Sequence, residues 1–274
     1  MLAAVVAAAP VRAQVIRDPA WSSAGALVVS VDGDLWVRGA APDTAWRRLT
    51  AGAAWDRQPA FTADGRAVVF ASDRAGGFDL WRIALDGSAP TRLTDDPADE
   101  GDPAVAPDGT IAFVRGRDAT ARLWLRRPDG MERRIGRAKS IERWPTFTRD
   151  GARLAYVRIG DEANQLRVRA TADTTASSDS LVSAASGGER PSWAPDGDRL
   201  AWTVGGARGR VVVVSRTGTS TTVASERGVH AAWSPDGRTL ALVPIVTAAS
   251  SYNGDPDRLR DRAREVGERT DLTT

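Results

Sequence analysis

Apolar and polar residues alternate in short runs through most of the chain, and the runs are separated by Asp-Gly and Pro-Asp-Gly turns. Period-two alternation of this kind marks half-buried β-strands, and Asp-Gly supplies the positive φ angles that tight hairpins demand. Residues 59–97 show the pattern most clearly. An apolar strand ends in Ala63-Asp64-Gly65, a second strand covers 67–72, and a loop follows at 74–77. A third strand spans 78–85, then come an Asp86-Gly87 turn and a short outer strand around 91–93. The unit predicted is a four-stranded antiparallel meander.

Five other stretches align on that unit through the glycine that ends its first strand. PAWSSAG, PAFTADG, PAVAPDG, PTFTRDG, PSWAPDG and AAWSPDG end at Gly25, Gly65, Gly109, Gly151, Gly197 and Gly237, spaced 40, 44, 42, 46 and 40 residues apart. A period near forty with four strands per repeat is the pattern of a β-propeller, whose sheets bury both faces against their neighbours. The fold class expected is therefore all-β, a six-bladed propeller of four-stranded antiparallel blades in one domain over residues 18–250.

The copies differ in informative ways. In blade three the outer strand, 132–135, is rich in charge, which suits an exposed edge that must not pair with other chains. In blade four the polar stretch 172–180 reads as a loop insertion, whereas blade five is complete. Blade six has its first strand and a second at 240–244, after which the pattern is lost, so it is expected to be incomplete. Residues 251–274 form a charged tail in which Asp255 as N-cap and Pro256 at the first helical position predict a short helix. An incomplete last blade means either an unusual closure of the ring or the front portion of a longer gene product.

Composition narrows the reading. Of 274 residues 42% are apolar and 26% charged, which fits a globular chain with an ample core. The formal charge is only +2 although 36 of the 37 basic residues are arginine, Lys139 being the exception, so nucleic acid is not an expected partner. The absence of cysteine excludes disulfides and thiolate chemistry. Residues 1–13 combine an apolar run with Val11-Arg12-Ala13, small residues at the spacing a signal peptidase requires, and read as an export signal whose charged start is missing. That run is too short to span a bilayer, and a periplasmic or secreted location is expected.

The recurring P-x-[FW]-[ST]-x-D-G, with the blade-two sequence FASDRAGGFDLW at 70–81, resembles the TolB-like (WD40-like) propeller repeat family. The resemblance covers residues 18–244 and is tightest in blades two, five and six. It implies a six-bladed propeller, and a family that includes a periplasmic partner-binding protein of the Tol system. Similar propellers also stand in front of the hydrolase domains of prolyl-oligopeptidase-type peptidases and some amidohydrolases.

Candidate chemistry is sparse. There is one histidine, His230, and no G-x-S-x-G, H-E-x-x-H or P-loop pattern, so no catalytic residue and no cofactor are assigned. The acidic run at 95–102 lacks calcium-loop spacing and is read as turns, and Asp73-Arg74 as a hairpin-loop contact; no metal site is expected. Trp36, Trp81 and Trp124 recur at one repeat position and Trp21, Trp193 and Trp233 at another, which predicts packing between blades; Trp46, Trp55 and Trp144 fall off the pattern and are expected to be exposed. The loops that lead into each first strand converge around the central channel. They would bring together Arg17, Asp18, Asp56, Arg57, Glu100, Asp102, Glu142, Arg143, Trp144, Glu189, Arg190 and His230. Mixed charge with an aromatic suits recognition. The expectation is an exported, non-catalytic propeller that binds a protein or peptide partner of the cell envelope at that mouth. The alternative is the propeller portion of a larger hydrolase, gating access of substrate.

Overall fold

The structure is a computed structural model and describes residues 16–41, 44–172, 179–205, 209–219, 221–225, 228–244 and 270–271. Five four-stranded antiparallel sheets follow one another along the chain. The first holds β1 (Ile16–Trp21), β2 (Leu27–Val31), β3 (Asp34–Arg38) and β4 (Arg47–Arg48), and the second β5 (Asp56–Phe61), β6 (Ala67–Ser72), β7 (Asp79–Ala84) and β8 (Thr91–Arg92). The third holds β9 (Glu100–Val105), β10 (Ile111–Arg115), β11 (Arg122–Arg126) and β12 (Glu132–Arg134), with a 3-10 turn at Asp118–Thr120. The fourth is built from β13 (Glu142–Phe147), β14 (Arg153–Arg158), β15 (Asn164–Ala170) and β16 (Ser180–Ala185). β17 (Glu189–Trp193), β18 (Arg199–Val204), β19 (Arg210–Ser215) and β20 (Thr221–Ser225) make the fifth. Last come the hairpin β21 (Gly228–Trp233) and β22 (Thr239–Pro244), onto which β23 (Thr270–Asp271) pairs.

The order within each sheet is sequential, so every sheet is a meander built by local turns. Those turns follow from the repeated Asp-Gly. In the second sheet Gly65, at φ +66°, donates its N–H to Thr62 O at 2.8 Å, while Asp64 Oδ1 accepts the N–H of Arg66 at 3.0 Å. The same pair of bonds recurs with Asp150 and Gly151, Asp196 and Gly197, and Asp236 and Gly237.

The core lies between sheets. Val28, Leu35, Phe61, Val68 and Phe70 fill the space between the first and second, and Val69, Leu80, Ile111 and Phe113 that between the second and third. Leu123, Leu154 and Tyr156 join the third to the fourth, Leu166, Leu200 and Trp202 the fourth to the fifth, and Val211, Val213, Trp233 and Leu240 the fifth to the β21–β22 hairpin. Since β21 and β22 also contact β1, the ring is closed. Complete burial of a leucine or phenylalanine is worth roughly 1.5–3 kcal/mol, so the ring is held by side-to-side apolar packing more than by its polar contacts. Trp202 fits only because residue 188 is glycine: a Cβ there would collide with the indole ring.

Two expectations change. Among the described residues four-stranded sheets number five, and the last unit is a hairpin carrying the two-residue β23. Within the tail, residues 270–271 are strand and not helix; residues 1–13, the polar stretch 173–178 and the expected helix within 251–269 lie outside the described residues.

Candidate functional site

The innermost strand of each sheet has one partner, and its other edge faces the channel. Unpaired edges of this kind are usually blunted by bulges and prolines, and both devices are present. In all six innermost strands the register slips, between Arg17 and Ala20, Arg57 and Ala60, Arg143 and Thr146, Glu189 and Ser192, Val229 and Ala232, and at the matching place in β9. The residue opening each bulge is Asp18, Gln58, Asp102, Trp144, Arg190 or His230, with φ between +48° and +55° in every case. The next residue is proline in five strands and Ala231 in the sixth. Left-handed backbone is uncommon outside glycine and asparagine, and it costs about 1–3 kcal/mol at a bulky residue. The bulge spends that energy to aim six side chains at one level of the channel.

Behind this ring the lining is uniform. Proline or Ala231 is followed by Ala20, Ala60, Ala104, Thr146, Ser192 or Ala232 and then by a large apolar residue, and these segments enclose a cavity of about 330 Å³. Small residues at the third position leave the lumen open.

One half of the ring is tied together. The N–H of Gln58 donates to Asp18 Oδ2 at 3.2 Å, the N–H of Asp102 donates to Gln58 Oε1 at 3.0 Å, and Gln58 Nε2 donates to Asp102 Oδ1. Side chains at this level thus satisfy backbone donors that the bulges release. From the fifth sheet Arg190 Nη1 lies 2.8 Å from Asp18 Oδ1, an ion pair without hydrogen-bond alignment. Burial favours the neutral form of Asp18, but Arg190 and the Gln58 N–H outweigh it and hold the carboxyl below its ordinary range. Asp102 moves the other way: burial, with Asp18 adding to it, raises its pKa despite Arg190, Arg143 and Arg57. Burial and Glu189's acidic neighbours Asp102 and Asp18 likewise outweigh Arg190 and raise Glu189.

The other half is open. Trp144 lines the channel half-buried, with the Arg190 guanidinium 5.9 Å from its ring. His230 donates its backbone N–H to Thr203 Oγ1 at 3.1 Å, while its Nδ1 stands 3.8 Å from Asp18 Oδ1 and has no hydrogen-bond partner. Burial and the nearby Arg190 lower its pKa to about 3, so the imidazole is neutral. A neutral imidazole of that pKa is a poor general base near neutrality.

The candidate residues therefore divide. They lie within the innermost strands and not in the loops before them. Asp56, Glu100 and Glu142, at the strand starts, are buried as clips inside their own sheets. Asp56 takes Arg74 Nη2 in two bonds of 2.8 and 2.9 Å, Glu100 takes Arg115 Nε at 2.6 Å, and Glu142 takes Arg158 Nη2 at 3.0 Å. Burial nevertheless raises both Glu100 and Glu142. Arg74 thus pairs with Asp56, whereas Asp73 accepts the N–H of Trp55 at 2.7 Å. In the acidic run, Asp96 and Glu100 face Arg115 and Asp99 accepts the N–H of Phe78 at 3.0 Å, so the carboxylates are dispersed onto separate partners. Trp55 is 46% exposed as expected, but Trp46 and Trp144 are half-buried. Gln58 is the ring member that a search for charge and aromatics omits; its repeat position identifies it.

Arg17, Arg57 and Arg143 occupy the position before the bulge in three sheets, where the others have Gly101, Glu189 and Val229. Arg17 is exposed and Arg143 half-buried. Arg57 lies 3.7 Å over the Phe78 ring, and its Nε is buried without an acceptor.

Sequential four-stranded sheets around a channel whose inner edge is bulged and polar define a β-propeller with a ring of equivalent positions at its channel. The family model for the TolB beta propeller domain matches residues 11–176, more than half of the sequence, and the chain belongs to that family. An uncharacterized protein of Agrobacterium fabrum is 31% identical over 124 residues, 40% of this chain and 42% of the relative. The Tol-Pal system protein TolB of Bordetella pertussis is 46% identical over 41 residues, 15% of this chain and 9% of its own. Among solved structures, TolB from Acinetobacter baumannii superimposes with a TM-score of 0.69 at 20% identity, covering 81% of this chain and 57% of that one. The tricorn protease superimposes with a TM-score of 0.60 at 10% identity, covering 87% of this chain and 34% of that one. The matched part is less than two thirds of each of these proteins, and the structural likenesses speak for the fold alone.

Proposed function

We propose that the chain is an exported, non-catalytic, six-bladed propeller, its sixth blade built from β21, β22 and β23, that binds a protein or peptide of the cell envelope at the channel mouth. One observation carries this reading. Six residues sit in the same left-handed conformation, of which Asp18, Gln58 and Asp102 hydrogen-bond to one another and Arg190 pairs with Asp18. Trp144 lines the channel half-buried beside Arg190, and His230 is held there with a buried Nδ1 that has no hydrogen-bond partner, which backbone propensity alone would not select. Kinship to a Tol-Pal system protein supports an envelope location, with residues 1–13 as the export signal. Among the described residues no helix is long and apolar enough to cross a membrane.

The test is capture of a partner from an envelope extract by the wild-type chain and by Arg143→Glu with Trp144→Ala. Loss of capture by a variant that still folds is expected, with some fall in Tm because Trp144 packs on the core between the fourth and fifth sheets, and full capture by the variant overturns the reading. Arg190 is left intact because it neutralises Asp18. The second reading, a gate for a hydrolase, has support from the much longer tricorn protease. It predicts a native protein much heavier than 29.1 kDa when isolated from its source.

A further inference from the structure

We propose that the segment bound at the mouth is acidic, its carboxylates held by Arg17, Arg57 and Arg143. The inference rests on the mouth being the binding surface and names the chemistry of what binds there. Elsewhere in the repeat, arginines near the starts of the innermost strands are matched: Arg74 to Asp56, Arg115 to Glu100, Arg158 to Glu142 and Arg190 to Asp18. Among the described residues Arg17, Arg57 and Arg143 make no ion pair, although Asp18 and Asp102 are near enough for their fields to be felt. Those two carboxylates are already engaged, Asp18 with Arg190 and the Gln58 N–H, and Asp102 with the Gln58 amide.

The three guanidiniums are placed by the fold and not by chance. They share one repeat position, just outside the bulge, in the first, second and fourth sheets, and Gly101 leaves the third sheet without a side chain between them. Phe78 fixes Arg57 by stacking on its flat face, so its donors are oriented before anything binds. Burial lowers the pKa of Arg57, a penalty that an incoming carboxylate would reverse. A peptide fits better than an acidic sugar because the lumen behind the ring is walled by proline, alanine and the apolar Phe61, Val105 and Phe147, which suit apolar side chains flanking the carboxylates.

The experiment titrates the whole chain with three synthetic peptides on one framework, bearing Asp and Glu, Asn and Gln, or Lys, and follows tryptophan fluorescence at low and high salt. Oligogalacturonate serves as a fourth, non-peptide anion. The expected result is binding of the acidic peptide about tenfold tighter than its amide twin, weakened by salt. Arg57→Gln and Arg143→Gln should each lower its affinity by up to about fivefold, the ceiling for a rim ion pair of about 1 kcal/mol, at unchanged Tm. Equal binding of the acidic and amide peptides, both lost in Trp144→Ala, overturns the acidic preference and leaves the mouth as the binding surface. Binding of oligogalacturonate alone overturns the peptide. Failure of all four probes to bind a folded chain overturns both the preference and the surface.

Discussion

Arg190→Leu isolates what holds the channel ring together. The guanidinium stands 2.8 Å from Asp18 Oδ1 and opposes the effect of burial on Asp18, Asp102 and Glu189, although only Asp18 ends below its ordinary value. Removing one partner of a fully buried pair costs about 3–5 kcal/mol. Here the Asp18 side chain is 8% exposed but that of Arg190 is 25% exposed to the lumen, so solvent screens part of the charge and about 2 kcal/mol is expected at pH 7. In a chain of this size that is a fall in Tm of about 4–8 °C. The loss must depend on pH. In the wild type the depressed pKa of Asp18 contributes stability above the ordinary aspartate value near 3.9, which disappears as pH falls through the still lower folded value. In the variant the carboxyl is buried beside Asp102 without its cation, so its pKa rises and the group protonates first. The two proteins should therefore converge in stability as the pH drops from 7 to about 4. Adding Asp18→Asn to Arg190→Leu should recover most of the loss, since the penalty belongs to the stranded carboxylate. Urea unfolding followed by tryptophan fluorescence measures all three. A loss below about 0.5 kcal/mol, or one that is the same at both pH values, would refute the reasoning.

Two further predictions concern the same ring and its packing. Gly188→Ala should destabilise the fold by about 1–3 kcal/mol, because the added methyl meets the fully buried Trp202; thermal unfolding of the single variant, and of Gly188→Ala with Trp202→Phe as partial relief, checks it. His230 is neutral down to pH about 3 in the folded chain and titrates near 6.5 when unfolded, so it makes stability fall with acidification across that window by up to about 1.4 kcal/mol per pH unit. His230→Asn should flatten that part of the stability profile, measured by urea unfolding between pH 6.5 and 4.

Much of the architecture is legible in the residues alone because propeller sheets are meanders. Each strand pairs with its neighbour in sequence, so Asp64-Gly65 or Asp86-Gly87 and the alternation around them determine pairing locally. Strands expected at 67–72, 111–115 and 122–126 coincide with β6, β10 and β11. Repetition adds a second kind of information: residues at the same offset from the anchor glycine must share an environment, which places His230 with Asp18, Asp102, Trp144 and Arg190 without any tertiary structure. It places Gln58 there too, although its neutral side chain keeps it out of the candidate site residues.

What the tertiary structure decided is where each side chain turns and what it meets. The bulge inserts an odd step into every innermost strand, so simple alternation cannot tell that Asp56, Glu100 and Glu142 are drawn inward to Arg74, Arg115 and Arg158 while Arg57 and Arg143, next in sequence to two of them, make no ion pair among the described residues. Asp18 and Arg190 are 172 positions apart and meet only because the ring closes, as β21 and β22 bring the fifth sheet round to β1. The strand at 270–271 has the same origin, since its pairing with β22 spans thirty residues and no local pattern announces it. The sequence determined the repeat and the level of the ring because both are short-range and periodic. The clips came from the bulge within each sheet and the hydrogen-bonded half from the packing of neighbouring sheets, whereas the meeting of Arg190 and His230 with Asp18 depended on closure, a long-range contact no local pattern encodes.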